Sequence, residues 1–253
     1  MFFLEKDLIL LNIPRCASST TEYAIVKSNL SYQYIIPNDP KVSKNPKVAD
    51  IIMSSTDTSK EDFYDELSTK VMIPHIHVKL NDMYKNFGVH ESVGITRDYL
   101  DKFLSTLRYF YDFAITANIP LVKPVDEVTA EFIIDAFNIE FFNISESKEE
   151  DTSFAVERLI KPEAIEFATP FNFPVIFNSA KWWTSGHKLT HEFDIKELDK
   201  FKTFIENRYN TEITLVDKNR DTHVDFPNLI VNSKLRDHIW NTVEKKYHVK
   251  KLF

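Results

Sequence analysis

Glycine is nearly absent. The 253-residue chain holds three, Gly88, Gly94 and Gly186, so neither the G-x-G-x-x-G nor the G-x-x-x-x-G-K-[ST] nucleotide fingerprint is present. Cysteine is rarer still: the single Cys16 excludes an internal disulfide and a cysteine-based zinc site, and fits a reducing compartment. No apolar run reaches the roughly 18 residues a membrane span needs. The opening Met1-Phe2-Phe3-Leu4 is cut short by Glu5, Lys6 and Asp7, unlike a signal peptide. A soluble, cytoplasmic protein without a membrane span is therefore expected. Excess positive charge is also missing. The net charge of −7 gives no global field for nucleic acid or anionic membranes, so an anionic ligand would need a local basic pocket.

What the chain has is apolar mass: 43% hydrophobic residues, with 21 Phe and 10 Tyr. That is enough for one sizeable core and predicts a single domain over 1–253. Leu8–Ile13 reads as a buried strand, and a helix is expected to start near Ser19. Ser19 and Glu22 match an S-x-x-E capping box. Tyr32–Ile36 and Val93–Thr96 read as short strands, and Val71–Val78 as extended. Asn38 to Lys47, with its prolines, reads as a loop. Leu100, Phe103, Leu104, Leu107, Tyr111 and Ala114 follow helical spacing and predict a helix over Tyr99–Thr116. Further helices are expected over Lys60–Thr69, Glu127–Phe137, Ile195–Tyr209 and Leu235–Tyr247, while Thr169–Glu192 has no clear pattern. Strands alternating with helices predict an α/β fold with a central, mainly parallel sheet flanked by helices.

Two segments carry chemistry. Asn12-Ile13-Pro14-Arg15-Cys16-Ala17-Ser18-Ser19-Thr20-Thr21 lies between a strand and a helix start. It offers one cation, several hydroxyls and a helix N-terminus, the elements of a phosphate cradle. The second segment places Arg97 and Asp98 after a strand, with Ser105 in the next helix. His75-Ile76-His77-Val78 lies between them. An H-x-H pair can ligate zinc, but one pair without a third ligand is not by itself a site, and no metal is expected.

Taken together these motifs resemble the sulfotransferases that use 3′-phosphoadenylyl sulfate. Pro14-Arg15-Cys16-Ala17-Ser18-Ser19-Thr20 is similar to that family's loop around the 5′-phosphosulfate. Arg97, Asp98 and Ser105 match the spacing of its 3′-phosphate element. His75-Ile76-His77-Val78 resembles the H-x-H-V segment of the hexuronyl 2-O-sulfotransferases. The resemblance covers about residues 8–116 and implies a P-loop-NTPase-like sulfotransferase fold. It implies 3′-phosphoadenylyl sulfate as donor and a hydroxyl-bearing acceptor, most often a glycan. His77 becomes the general base, with His75 beside it, and Arg15 the cation at the transferring sulfonate. Arg15, Cys16, Ala17, Ser18, Ser19 and Thr20 would line the 5′-phosphate loop. Arg97 and Ser105 would hold the 3′-phosphate, and Lys218 and Arg220 would belong to a basic loop closing over the nucleotide.

The chain departs from the family pattern in three places. Arg15 stands where the loop lysine is usual, Cys16 replaces a hydroxyl residue, and Tyr99 takes the place of a common proline. Arginine keeps the charge but not the reach of lysine. These departures keep open a non-catalytic nucleotide- or glycan-binding module of the same fold. A phosphate-loop kinase is the other alternative, disfavoured by the missing Gly-Lys-[Ser/Thr] ending. Trp182 and Trp183 read equally as ring-stacking or packing residues.

Overall fold

The computed structural model describes residues 2–5, 7–35, 51–54, 79–88, 90–146, 157–162, 176–216 and 224–245. These divide into two compact units, one from residues 1–97 and 183–220, the other from 98–182 and 221–253. The expected loop over 38–47, helix over 60–69 and extended segment over 71–78 lie outside the described residues.

The first unit is built on a six-stranded sheet. Its strands are β1 (Phe2–Leu4), β2 (Leu8–Leu11), β3 (Tyr32–Ile35), β4 (Ile51–Ser54), β5 (Glu91–Thr96) and β6 (His191–Asp194), in spatial order β4-β3-β1-β2-β5-β6. β2, β5 and β6 run parallel, whereas β1 is antiparallel to both β2 and β3, and β3 to β4. The sheet is thus mixed rather than mainly parallel. The reason lies at the start of the chain. Phe2–Leu4 is apolar and separated from β2 by a tight turn, where the Asp7 amide donates to the Leu4 carbonyl at 2.9 Å. A short turn permits only antiparallel pairing, since a parallel pair needs a long crossover.

Side chains alternate between the two faces of the sheet, and both faces are buried at β1 and β2. On one, Phe2 packs edge-on against Tyr32 and Tyr34 at 5.3 and 4.9 Å. Helix α1 (Ser18–Lys27) reaches that face through Glu22, and the later helix Leu198–Tyr209 reaches it through Phe204, whose ring lies 4.4 Å from that of His191. On the other face α2 (Leu80–Phe87) sends the Tyr84 hydroxyl to Ser92 Oγ at 3.3 Å. Gly94 is on this second face, and a Cβ there would meet Leu189 Cδ1 at 3.0 Å. A side chain at this position would press on the end of Leu189, which would have to give by a few tenths of an ångström.

The second unit is helical. α3 spans Tyr99–Thr116, as the periodicity predicts, followed by α4 (Ala130–Ala136) and α5 (Ile139–Glu146). After the short helix α6 (Ala180–Trp183), α7 is Leu198–Tyr209 of the first unit, and α8 (Ser233–Ile239) returns to the second, ending in a wide π turn over Trp240–Glu244. The core of the second unit centres on Phe137, with Phe103, Phe141 and Phe177 rings 4.7–4.8 Å away. Polar caps define its helix starts: Asp98 accepts from the Leu100 and Asp101 amides, Thr129 from Phe132 and Asn232 from Leu235. Each cap satisfies amides that the helix itself leaves unpaired. The Lys102 amine is buried in α3 and donates to the carbonyls of Ile176 and Asn178 at 2.8 and 2.6 Å. No helix among the described residues is long and apolar enough to cross a membrane.

Candidate functional site

β2 ends at Leu11, and the chain turns through residues 12–17 before α1 begins at Ser18. Ile13 and Cys16 are buried in this turn, and the Cys16 amide donates to the Ile13 carbonyl at 3.1 Å. Arg15 and Ala17 both occupy the left-handed region, with φ of 61° and 58°. For residues other than glycine this costs about 1–2 kcal/mol each. Strain of this kind persists only where the surroundings fix it, and it concentrates at functional turns. Its consequence here is positional. Ala17 becomes the helix N-cap, and Ser18, Ser19 and Thr20 form the first turn of α1. Their amides have no partner one turn back inside the helix and lie at the positive end of its dipole.

The capping box expected of Ser19 and Glu22 does not form. The helix starts one residue earlier, so Ser19 is already inside it, and Ala17 caps without a side-chain hydrogen bond. Thr21 Oγ1 donates to the Ala17 and Ser18 carbonyls at 3.2 and 2.9 Å. Glu22 instead turns toward the sheet. Its Oε1 accepts from Asn12 Nδ2 at 2.7 Å and from the Tyr34 hydroxyl at 3.1 Å. A buried carboxylate needs such donors, because burying a charge without them is prohibitive. The i, i+3, i+4 spacing of Glu22, Ile25 and Val26 carried the signal that Glu22 is on the buried stripe.

β5 lies beside β2 in parallel register, Leu11 opposite Gly94, so the residues following the two strands meet at one end of the sheet. Arg97, directly after β5, reaches the turn: its Nη1 donates to the Arg15 carbonyl at 3.5 Å. Among the described residues its Nε is buried without a hydrogen-bond partner. Two cationic residues, a left-handed turn and a helix N-terminus therefore share the carboxyl ends of parallel strands, where α/β sheets hold ligands. The same end also carries a carboxylate, Glu192 on β6, whose Oε1 accepts from Thr96 Oγ1 at 3.1 Å.

The opposite end of these strands is closed by charge. Arg208 pairs with Asp7 ahead of β2 at 2.9 Å and with Glu91 at the start of β5 at 2.5 Å, and Tyr209 donates to Asp7 at 2.7 Å. Burial works against the Arg208 charge, but the two carboxylates outweigh it and hold its pKa above the ordinary arginine value. Burial, reinforced by the Asp7 charge, raises the Tyr209 hydroxyl. This cluster ties α7 to the sheet.

Of the residues singled out in sequence, Arg15, Cys16, Ala17, Ser18, Ser19, Thr20 and Arg97 belong to the first unit and gather at the turn. Ser105 belongs to the second unit, where it is buried as the seventh residue of α3. Asp98, also in the second unit, serves as the N-cap of that helix. His75, His77, Lys218 and Arg220 lie outside the described residues. Trp182 and Trp183 are both buried, 9% and 4% exposed, which favours packing over stacking on a ligand. Among the described residues no group of three or more His, Cys, Asp or Glu is placed to hold a metal ion.

Comparison of the chain with family models, with curated proteins and with solved structures finds no match.

Proposed function

We propose that this protein is a sulfotransferase, moving a sulfuryl group from 3′-phosphoadenylyl sulfate to a hydroxyl of a carbohydrate acceptor. The observation that carries the reading is the strained turn after β2, with Arg15 and Ala17 left-handed and the Arg97 guanidinium against the Arg15 carbonyl. In this reading β2, its turn and α1 are the 5′-phosphosulfate element of a P-loop-like sulfotransferase fold. Amides of Ala17, Ser18, Ser19 and Thr20 hold the 5′-phosphate, with the Ser19 and Thr20 hydroxyls. Arg97 meets the 3′-phosphate through charge-assisted hydrogen bonds.

The transfer is an in-line displacement at sulfur. The acceptor oxygen forms a bond to sulfur while the bond from sulfur to the 5′-phosphate oxygen breaks, releasing 3′,5′-ADP. His77 takes the acceptor proton, as an imidazole titrating near neutrality is suited to do. Arg15 offsets charge developing on the sulfonate and the leaving oxygen.

Calorimetric titration with 3′,5′-ADP tests the reading, with 5′-AMP and with ATP plus magnesium as comparators. Tight binding that depends on the 3′-phosphate is the expected result. Absence of binding, or preference for ATP with magnesium, overturns it.

A further inference from the structure

We infer that Glu22 is a positioning residue for the anion-binding turn, holding Asn12 and thereby the two ends of residues 12–17 in one arrangement. The inference rests on the proposed nucleotide site and adds to it a residue that touches no ligand. Asn12 is where the chain leaves β2, and Glu22 is the fifth residue of α1. The Asn12–Glu22 hydrogen bond, at 2.7 Å, closes the ten-residue span that contains the whole turn. A carboxylate accepts and cannot donate, so the Asn12 amide group must present Nδ2. The network is anchored from the far side by Tyr34 on β3, whose hydroxyl reaches the same Glu22 oxygen. All three residues are buried: Asn12 is 1% exposed, Glu22 4% and Tyr34 0%.

The physical argument has two steps. Left-handed Arg15 and Ala17 are unfavourable by themselves, so the turn keeps this shape only if its ends are fixed from outside. Backbone pairing fixes Leu11 at one end, and helix packing fixes Ile25 and Val26 beyond the other. Between them the Asn12–Glu22 bond is a side-chain link that spans the turn. Losing the Glu22 acceptor takes one hydrogen bond from each of two buried donors, which costs more than losing one exposed hydrogen bond. The turn can escape that cost by unwinding and exposing Asn12 to water. Strand β3 is held by pairing to β1 and β4, so loss of the Tyr34 hydroxyl removes its bond to Glu22 without releasing the turn.

The test compares E22L, E22Q, N12A and Y34F by thermal melting, by amide hydrogen exchange over residues 12–21, and by 3′,5′-ADP titration. E22L and N12A are expected to speed exchange in the turn about tenfold and to weaken nucleotide affinity about tenfold. Glutamine keeps the acceptor oxygen, so E22Q retains the exchange pattern and binds within about threefold of the parent. Y34F lowers the melting temperature but leaves exchange and affinity in the turn unchanged. Unaltered exchange in both E22L and N12A overturns the inference. So does a loss of affinity that merely tracks melting temperature across all four variants. If E22L does not fold, N12A against Y34F still decides the question. Failure of the parent chain to bind 3′,5′-ADP sinks the nucleotide reading alone, because the exchange comparison decides the positioning role without ligand.

Discussion

Arg97 reaches across two parallel strands to the backbone of Arg15, Nη1 to carbonyl oxygen at 3.5 Å. Among the described residues the contact uses Nη1 and leaves the buried Nε without a partner. A guanidinium so placed supports the turn, and in the proposed reading its remaining donors serve the 3′-phosphate. If it holds a phosphate, Arg97→Ala should weaken 3′,5′-ADP binding by about 10- to 100-fold, the range expected for a charged hydrogen bond. Affinity for 5′-AMP should fall far less. The paired titrations check this, and equal losses for the two nucleotides would reassign Arg97 to a purely structural role.

The general base is tested through turnover rather than affinity. Removing a positioned proton acceptor costs about 10²–10⁴ in rate. His77→Ala should lower sulfate transfer from labelled donor to a glycan panel by that factor while 3′,5′-ADP affinity stays at the parent value. Full turnover in this variant would move the proton to another acceptor, His75 being the neighbour to examine next.

The left-handed residues make a conformational prediction. Ala17 sits at φ 58° and ψ 24°, where a Cβ is penalised by about 1–2 kcal/mol. Glycine relieves that cost but adds about 0.4–1 kcal/mol of unfolded-state entropy. Ala17→Gly should therefore melt at or slightly above the parent temperature. A β-branched side chain deepens the penalty, so Ala17→Val should be destabilised by about 1 kcal/mol or more. Thermal unfolding of the two variants gives the sign directly. A less stable glycine variant would mean that the backbone at this position is not strained in solution.

Where the pattern was local, the sequence was readable. The stripe Leu100, Phe103, Leu104, Leu107, Tyr111, Ala114 is sufficient to define α3, and those positions are its buried face. Leu8–Leu11 is apolar throughout because helices cover both sheet faces there, and it reads as β2 for that reason. What was hidden depends on distant partners. Phe2–Leu4 is three residues long and becomes a strand only because β2 and β3 flank it. His191–Asp194 has one apolar side chain and becomes β6 by pairing with β5. The position of the candidate turn followed from strand, cation and hydroxyls in order. Its left-handed geometry did not, because Arg15 and Ala17 are not residue types that announce a positive φ. Glu22 matched a local motif, but the buried Asn12 and Tyr34 donors competed for its carboxylate and won.

Acid should loosen the segment that follows α7. Glu206 accepts from Lys202 Nζ and from the Ile213 amide at 3.0 Å, and Lys202 donates to the Ile213 carbonyl at 2.5 Å. The Lys202 hydrogen bond, helped by the Ile213 amide, lowers the Glu206 pKa from its ordinary 4.5. A carboxyl group whose pKa is lower when folded binds protons more readily when unfolded. Its stabilisation is therefore complete above 4.5 and is lost as pH falls through the folded value. Glu206→Gln keeps an acceptor oxygen but removes the charge. The variant should melt below the parent near neutrality, and the gap should close progressively once pH drops beneath 4.5. Melting curves of both proteins across that range measure the gap. A difference that stays constant with pH would show that packing of the side chain, and not its charge, stabilises the end of α7.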